Sequence, residues 1–135
     1  MLHTQWPLQE QGSMIGYVTL GTNDFDAAVA FYDALVAEMG GKRFMEEETF
    51  VAWMTDTGGV SLAVTRPFDG KPATVGNGVM VALMVPTKED VQRVHAKALE
   101  LGGTDEGAVG PRGDNFYAGY FRDLDGNKLN VFVAG

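Results

Sequence analysis

The sequence predicts an α+β fold made of two βαβββ modules in one chain, and three observations predict it. The chain has 135 residues, 45% of them hydrophobic, enough for one compact domain with its own core. Two amphipathic stretches each end in a glycine pair, Gly40-Gly41 and Gly102-Gly103. The segments around them also repeat. WMTDTGGVSLAV (Trp53 to Val64) aligns with YFRDLDGNKLNV (Tyr120 to Val131) at a constant shift of 67, carrying Asp56 onto Asp123 and Leu62 onto Leu129. YVTL (Tyr17 to Leu20) aligns with MVAL (Met80 to Leu83) at a shift of 63, so the halves differ by a small loop insertion.

Taken in order, residues 1–13 lack the basic and apolar regions of a secretory signal. They read either as an expression tail ending in Gly-Ser before Met14, or as an ordered extra segment in which Trp6 packs on the body. Gly16 to Leu20 is the first strand. Asn23 to Met39 places Phe25, Ala28, Val29, Phe31, Tyr32, Leu35 and Met39 at mostly three- and four-residue steps, which predicts an amphipathic helix. Lys42 to Glu48 is a further strand, and Trp53 to Val64 reads as a hairpin closed by a Gly-Gly turn. Pro67 to Asn77 collects proline, glycine and polar residues and predicts a connection between modules 14–70 and 78–135. The second module repeats the plan: a strand over Val79 to Val85, then a helix opening at Thr87 with Asp90 three residues later, as in a capping box. That helix carries Val91, Val94, Ala98 and Leu101 on one stripe, and Tyr120 to Val131 forms a hairpin closed by an Asp-Gly turn.

Alternation within the strands divides their faces. Val18 and Leu20, then Val60, Leu62 and Val64, then Leu129, Val131 and Val133 form aliphatic faces suited to carry the helices. The opposite faces mix hydroxyls, small residues, an amide and aromatics, as expected of solvent-facing surface or of a ligand cleft.

Composition excludes several functions. Eighteen acidic and ten basic residues give a net charge of −8, which repels nucleic acid and anionic membranes. With no cysteine there is no disulfide, thiolate metal site or Cys nucleophile, and a cytoplasmic location fits. The longest apolar run, Val79 to Val85, is far short of the roughly 20 residues of a membrane helix.

YVTLGTNDFDAAVAFYDAL (Tyr17 to Leu35) and FRDLDGNKLNVF (Phe121 to Phe132) resemble the vicinal oxygen chelate superfamily, which includes glyoxalase I, bleomycin-resistance proteins, fosfomycin-resistance enzymes and extradiol dioxygenases. The resemblance runs from Met14 onward and implies a single glyoxalase-like domain, 14–135, whose modules curl a mixed sheet around a cleft, often completed by a second chain. It implies a homodimer. Many members hold a divalent metal with one His or Glu from each of four strand positions, which fall here on Tyr17, Ala63, Met80 and Asn130. None is of the usual ligand type: the tyrosine hydroxyl has an ordinary pKa near ~10, alanine has no donor, a thioether suits soft metals, and an amide brings no charge.

The resemblance therefore implies no metal and no other cofactor. It places a small-molecule ligand among Tyr17, Thr19, Trp53, Ala63, Met80, Met84, Tyr120, Arg122 and Asn130, with Arg122 and Lys128 as sources of positive charge. His3 falls in the leader. His95 flanks the apolar stripe of the second helix and reads as a core-edge histidine bonded to backbone. The acidic run Glu46 to Glu48 reads as a solvated strand end, and Asp123 to Gly126 as a tight turn rather than a calcium loop. The expected function is a metal-free module that binds a small organic molecule. The alternative is a glyoxalase-like lyase, isomerase or dioxygenase using a divalent metal, or Tyr17 as acid-base group. A structural dimerisation unit is a third reading.

Overall fold

Asp24 starts the first helix: its side chain accepts from the Ala27 backbone N–H at 3.2 Å, satisfying an orphan donor of the first turn. Thr87 does the same for the second, accepting from the Asp90 N–H at 3.0 Å, as the capping-box spacing predicts. The glycine pairs stop both helices, each member for a different reason. Gly40 (φ 75°) and Gly102 (φ 104°) lie in the left-handed region that favours glycine. Gly41 and Gly103 are instead close approaches. A Cβ on Gly103 would lie 2.8 Å from the carbonyl oxygens of Ala98 and Arg122, and one on Gly41 would run into the Val36 side chain.

The computed structural model describes residues 14–56 and 59–135. The leader, 1–13, and its two alternative readings lie outside the described residues. The elements run β1 (Tyr17–Gly21), α1 (Phe25–Ala37), β2 (Gly41–Glu47), β3 (Phe50–Thr55), β4 (Ser61–Thr65), β5 (Val81–Met84), α2 (Lys88–Glu100), β6 (Thr104–Pro111), β7 (Phe116–Arg122) and β8 (Lys128–Ala134). Each module makes a four-stranded mixed sheet of the same order, β1-β4-β3-β2 and β5-β8-β7-β6. In both, the first strand pairs in parallel with the last and the rest is antiparallel. This is the α+β fold of two βαβββ modules. Strand β5 is shorter than its apolar run suggests, because a turn from Gly76 to Val79, with Gly78 at φ 98°, takes up the start of that run.

The helices and the aliphatic faces of both sheets share one core, which includes Leu20, Phe31, Leu35 and Leu62 from the first module and Val91, Val94, Phe121 and Leu129 from the second. His95 is buried at the edge of that core, its Nε2 3.1 Å from the Tyr120 carbonyl oxygen, as expected of a core-edge histidine.

Polar links then fix one module against the other. Tyr32 of α1, with no exposed surface, donates its hydroxyl to Asp123 Oδ2 at 2.6 Å, in the turn between β7 and β8. Asp123 also accepts from the backbone N–H groups of Asp125 and Asn127 and from Asn127 Nδ2, which donates in addition to the Gly21 carbonyl. Burial pushes the Tyr32 hydroxyl well above its ordinary pKa, helped by the charge and hydrogen bond of Asp123 and the charge of Asp125. Arg93 of α2 donates to the Glu38 carboxylate and to its carbonyl, supplying a cation to the C-terminal end of α1, whose last turn has no basic residue of its own.

Candidate functional site

The faces turned away from the helices carry most of the residues expected at the site. On the first sheet, register places Thr19 and Ala52 on either side of Ala63, and Tyr17 opposite Ser61. Ala63 has no exposed surface and belongs to a small apolar cluster with Met45 and Ala52, against which Phe44 and Phe50 pack. The Tyr17 and Phe50 rings meet edge to face at 6.2 Å. On the second sheet Asn130 lies between Ala82 and Tyr120 in the same register. Asn130 is 1% exposed, and its Oδ1 is buried without a hydrogen-bond partner. Lys128 Nζ and the Arg112 guanidinium lie 5.7 and 5.5 Å from the Tyr120 ring centre, and Phe116 stacks on Phe132 at 5.0 Å. Met80, just before β5, and Met84, on it, are exposed.

Two residues differ from expectation. Trp53 lies on the helix side of its sheet: it is buried, donates its indole N–H to Asp33 Oδ1 of α1 at 2.8 Å, and contacts the Tyr32 ring. The cause is a one-residue difference between the hairpins. Ala63 faces Ala52, whereas its repeat partner Asn130 faces Tyr120, so on the third strand of each module the equivalent shift is 68 rather than 67. A slip of one residue reverses every face, and Trp53 becomes the counterpart of buried Phe121. Arg122, expected as a free positive charge, is engaged: it donates to Glu106 Oε1 at 3.0 Å and to the Gly126 carbonyl at 2.9 Å.

A cavity of about 570 Å³ opens between the modules, beside the start of β4 and along β5. Val18, Trp53 and Leu62 contribute to its wall from the first module, and Leu83, Met84 and Phe132 from the second. Ser61 also lines it, and the Ser61 hydroxyl is buried without a hydrogen-bond partner. Trp53 and Met84, both expected at the ligand site, thus meet here. Val18 and Leu62 reach it from the face that alternation assigns to the helices, beside Val36 and Met39.

The architecture corresponds to a known group. The family model of the Glyoxalase/Bleomycin resistance protein/Dioxygenase superfamily matches residues 14–131. The chain belongs to this superfamily. Among solved structures, a glyoxalase/bleomycin resistance protein from Albidiferax ferrireducens T118 is 31% identical, with a TM-score of 0.84 over 91% of this chain and 100% of that one. At lower identity the likeness is one of fold. A lactoylglutathione lyase from Agrobacterium tumefaciens is 21% identical, with a TM-score of 0.67 over 90% of this chain and 93% of that one. A glyoxalase/bleomycin resistance protein/dioxygenase family enzyme from Burkholderia phytofirmans PsJN is 18% identical, with a TM-score of 0.70 over 89% and 98%. No curated protein matches the chain.

The four positions that the superfamily's metal would use carry poor ligands in this chain. Ala63 offers no donor atom and is sealed in an apolar cluster, Met80 offers a thioether, and Asn130 a neutral amide. Such a set does not fit a hard or borderline divalent ion, which takes carboxylate, imidazole or several oxygen ligands. Among the described residues no three His, Asp or Glu side chains form a group able to hold a metal. No helix among them is long and apolar enough to cross a membrane.

Proposed function

We propose that this superfamily member works as a metal-free binding module, which holds a flat or amphipathic organic molecule in the cavity between its modules. The observation that carries the reading is the cavity itself: about 570 Å³, walled by aliphatic, aromatic and methionine side chains. Small-molecule sites are commonly apolar with a few placed polar groups, and methionine adapts to irregular guests. The poor fit of the four transferred positions to a divalent ion favours binding over metal-dependent lyase or dioxygenase chemistry.

A second copy of the chain is proposed to cover the exposed Tyr17, Met80 and Met84, apolar groups left in solvent along β1 and β5. Light scattering on the parent and on Met84→Glu tests this, a dimer that the charge dissociates being expected and a monomeric parent contradicting it.

The ligand test is a thermal-shift panel of aromatic antibiotics, thiol conjugates and small aromatic acids, with metal analysis of the same sample. A ligand at a hundredfold excess over its Kd stabilises by about 2.7 kcal/mol. A stabilising compound in chelator-treated protein supports the reading. A stoichiometric divalent ion lost on Asn130→Ala or Tyr17→Phe would overturn it.

A further inference from the structure

A second cavity, of about 530 Å³, lies at the C-terminal ends of β1 and β4, under the strap that follows β4. Thr22 and Thr65 contribute to its wall from the strand ends, and Arg66, Phe68 and Lys71 from the strap. The strap is fixed in place. Asn23 Nδ2 donates to the Ala73 carbonyl at 3.1 Å, and the Ala73 N–H donates to Asn23 Oδ1 at 2.7 Å. A Cβ on Gly21 would come within 3.0 Å of Ala73 Cβ, so the strap seats against bare backbone. Gly70, at φ 75°, turns it, with its N–H on the Pro67 carbonyl.

The charge around this cavity runs against the chain as a whole. In a protein of net charge −8, none of the described residues that line it is acidic. Arg43, Arg93, Lys97 and Arg122 form ion pairs with carboxylates; Arg66 and Lys71, like Lys42, Lys88, Arg112 and Lys128, have no carboxylate partner among the described residues. The neighbouring acids are occupied with backbone: Asp69 Oδ1 accepts from the Lys71 N–H, and Asp24 Oδ1 caps α1. The Arg66 guanidinium rests 5.6 Å from the Phe25 ring centre, which orients it without neutralising it. Thr22 is buried and accepts from the Asp24 N–H, which leaves its own proton to donate. At the rim Phe68 stands wholly in solvent.

Two uncompensated cations, a hydroxyl donor and an exposed aromatic ring suit one class of guest. We propose that the strap cavity is a separate site for an organic anion, a carboxylate or phosphate ester on an aromatic body. Arg66 and Lys71 hold the charge, Thr22 donates to an anionic oxygen, and Phe68 covers the ring. The site is independent of the cavity between the modules.

Phenyl phosphate, benzoate, inorganic phosphate and benzyl alcohol are titrated separately into the full chain and followed by the backbone amide resonances of residues 22 and 65–73. The aromatic anions are expected to shift these resonances saturably, with affinity that weakens as salt is added. Arg66→Gln with Lys71→Gln is expected to weaken binding by about tenfold or more, which is about 1.4 kcal/mol, while leaving thermal stability near that of the parent. Lys71→Glu is a second, independent variant expected to weaken it. Phe68→Ala is expected to weaken phenyl phosphate but not inorganic phosphate. The proposal is overturned if neither anion shifts these amides, if benzyl alcohol shifts them as strongly, or if the charge variants bind as tightly as the parent. Equal affinity for inorganic phosphate and phenyl phosphate would overturn the assignment of an aromatic body.

Discussion

Replacing Tyr32 by Phe removes one oxygen atom from the place where the two modules are fastened. The ring keeps its volume and its contacts with Phe31 and Trp53, so no cavity of consequence forms. What is lost is a 2.6 Å hydrogen bond to Asp123 inside the protein. Hydrogen bonds to charged groups contribute about 1.5–3 kcal/mol. Asp123 keeps its two backbone N–H donors and Asn127 Nδ2, which places the expected cost near the middle of that range, about 2 kcal/mol. For a chain of this size that is a fall of roughly 6–10 °C in Tm.

Burial of the same hydroxyl, with the charge and hydrogen bond of Asp123 beside it, sets an alkaline limit on stability. The folded protein holds the Tyr32 proton more tightly than the unfolded chain does, so the stabilisation is complete below the unfolded tyrosine pKa of about 10 and is lost as pH rises from there towards the raised folded value. Urea unfolding of parent and Tyr32→Phe between neutral pH and pH 11 measures both effects, the difference between the two proteins cancelling the lysines that titrate in the same range. A variant within about 0.5 kcal/mol of the parent at neutral pH, or an alkaline decline as steep as the parent's, would refute the reasoning.

Three further outcomes are expected. Gly119→Ala places a Cβ 2.7 Å from Val109 Cγ2 and 2.8 Å from His95 Cδ2, so the imidazole must leave the Tyr120 carbonyl, and denaturant unfolding should show a loss of about 1–3 kcal/mol. Ser61→Ala, which removes an unpartnered buried hydroxyl, should leave the ligand-free protein as stable as the parent or raise its stability by a few tenths of a kcal/mol up to about 1, read by thermal unfolding. Asp33 is held below the ordinary carboxylate pKa chiefly by its hydrogen bond from Arg43, with the Trp53 indole and the Arg43 charge adding to it. Its stabilisation is therefore present above about pH 4 and should be lost as pH falls through the lowered value, with the Trp53 indole N–H resonance moving in the same window.

How much of this was legible in the sequence depends on whether the cause was local. Thr87 with Asp90 announces a helix start because a cap acts within one turn, and the glycine pairs announce the stops because backbone conformation and close approach both demand glycine there. The repeat was legible because each module solves the same packing problem with the same residues. Strand β6 has no sequence pattern of its own: Gly107 and Gly110 interrupt it and two register shifts break its pairing with β7, so alternation is lost. The side of Trp53 is not legible from the repeat, because a turn one residue longer changes the parity of a whole strand while the aligned letters still match. The engagement of Arg122 depends on Glu106 across the neighbouring strand, and the cavity depends on how two sheet edges face each other. Neither leaves a local signal.

The most direct test is a titration of indole into methyl-labelled protein in the presence of EDTA, following the methyl resonances of Val18, Leu62 and Leu83. Indole is flat and amphipathic and small enough for the cavity between the modules. The account predicts saturable shifts of these methyl groups with chelator present. Shifts that appear only after zinc or manganese is added, or none at these residues, would contradict it.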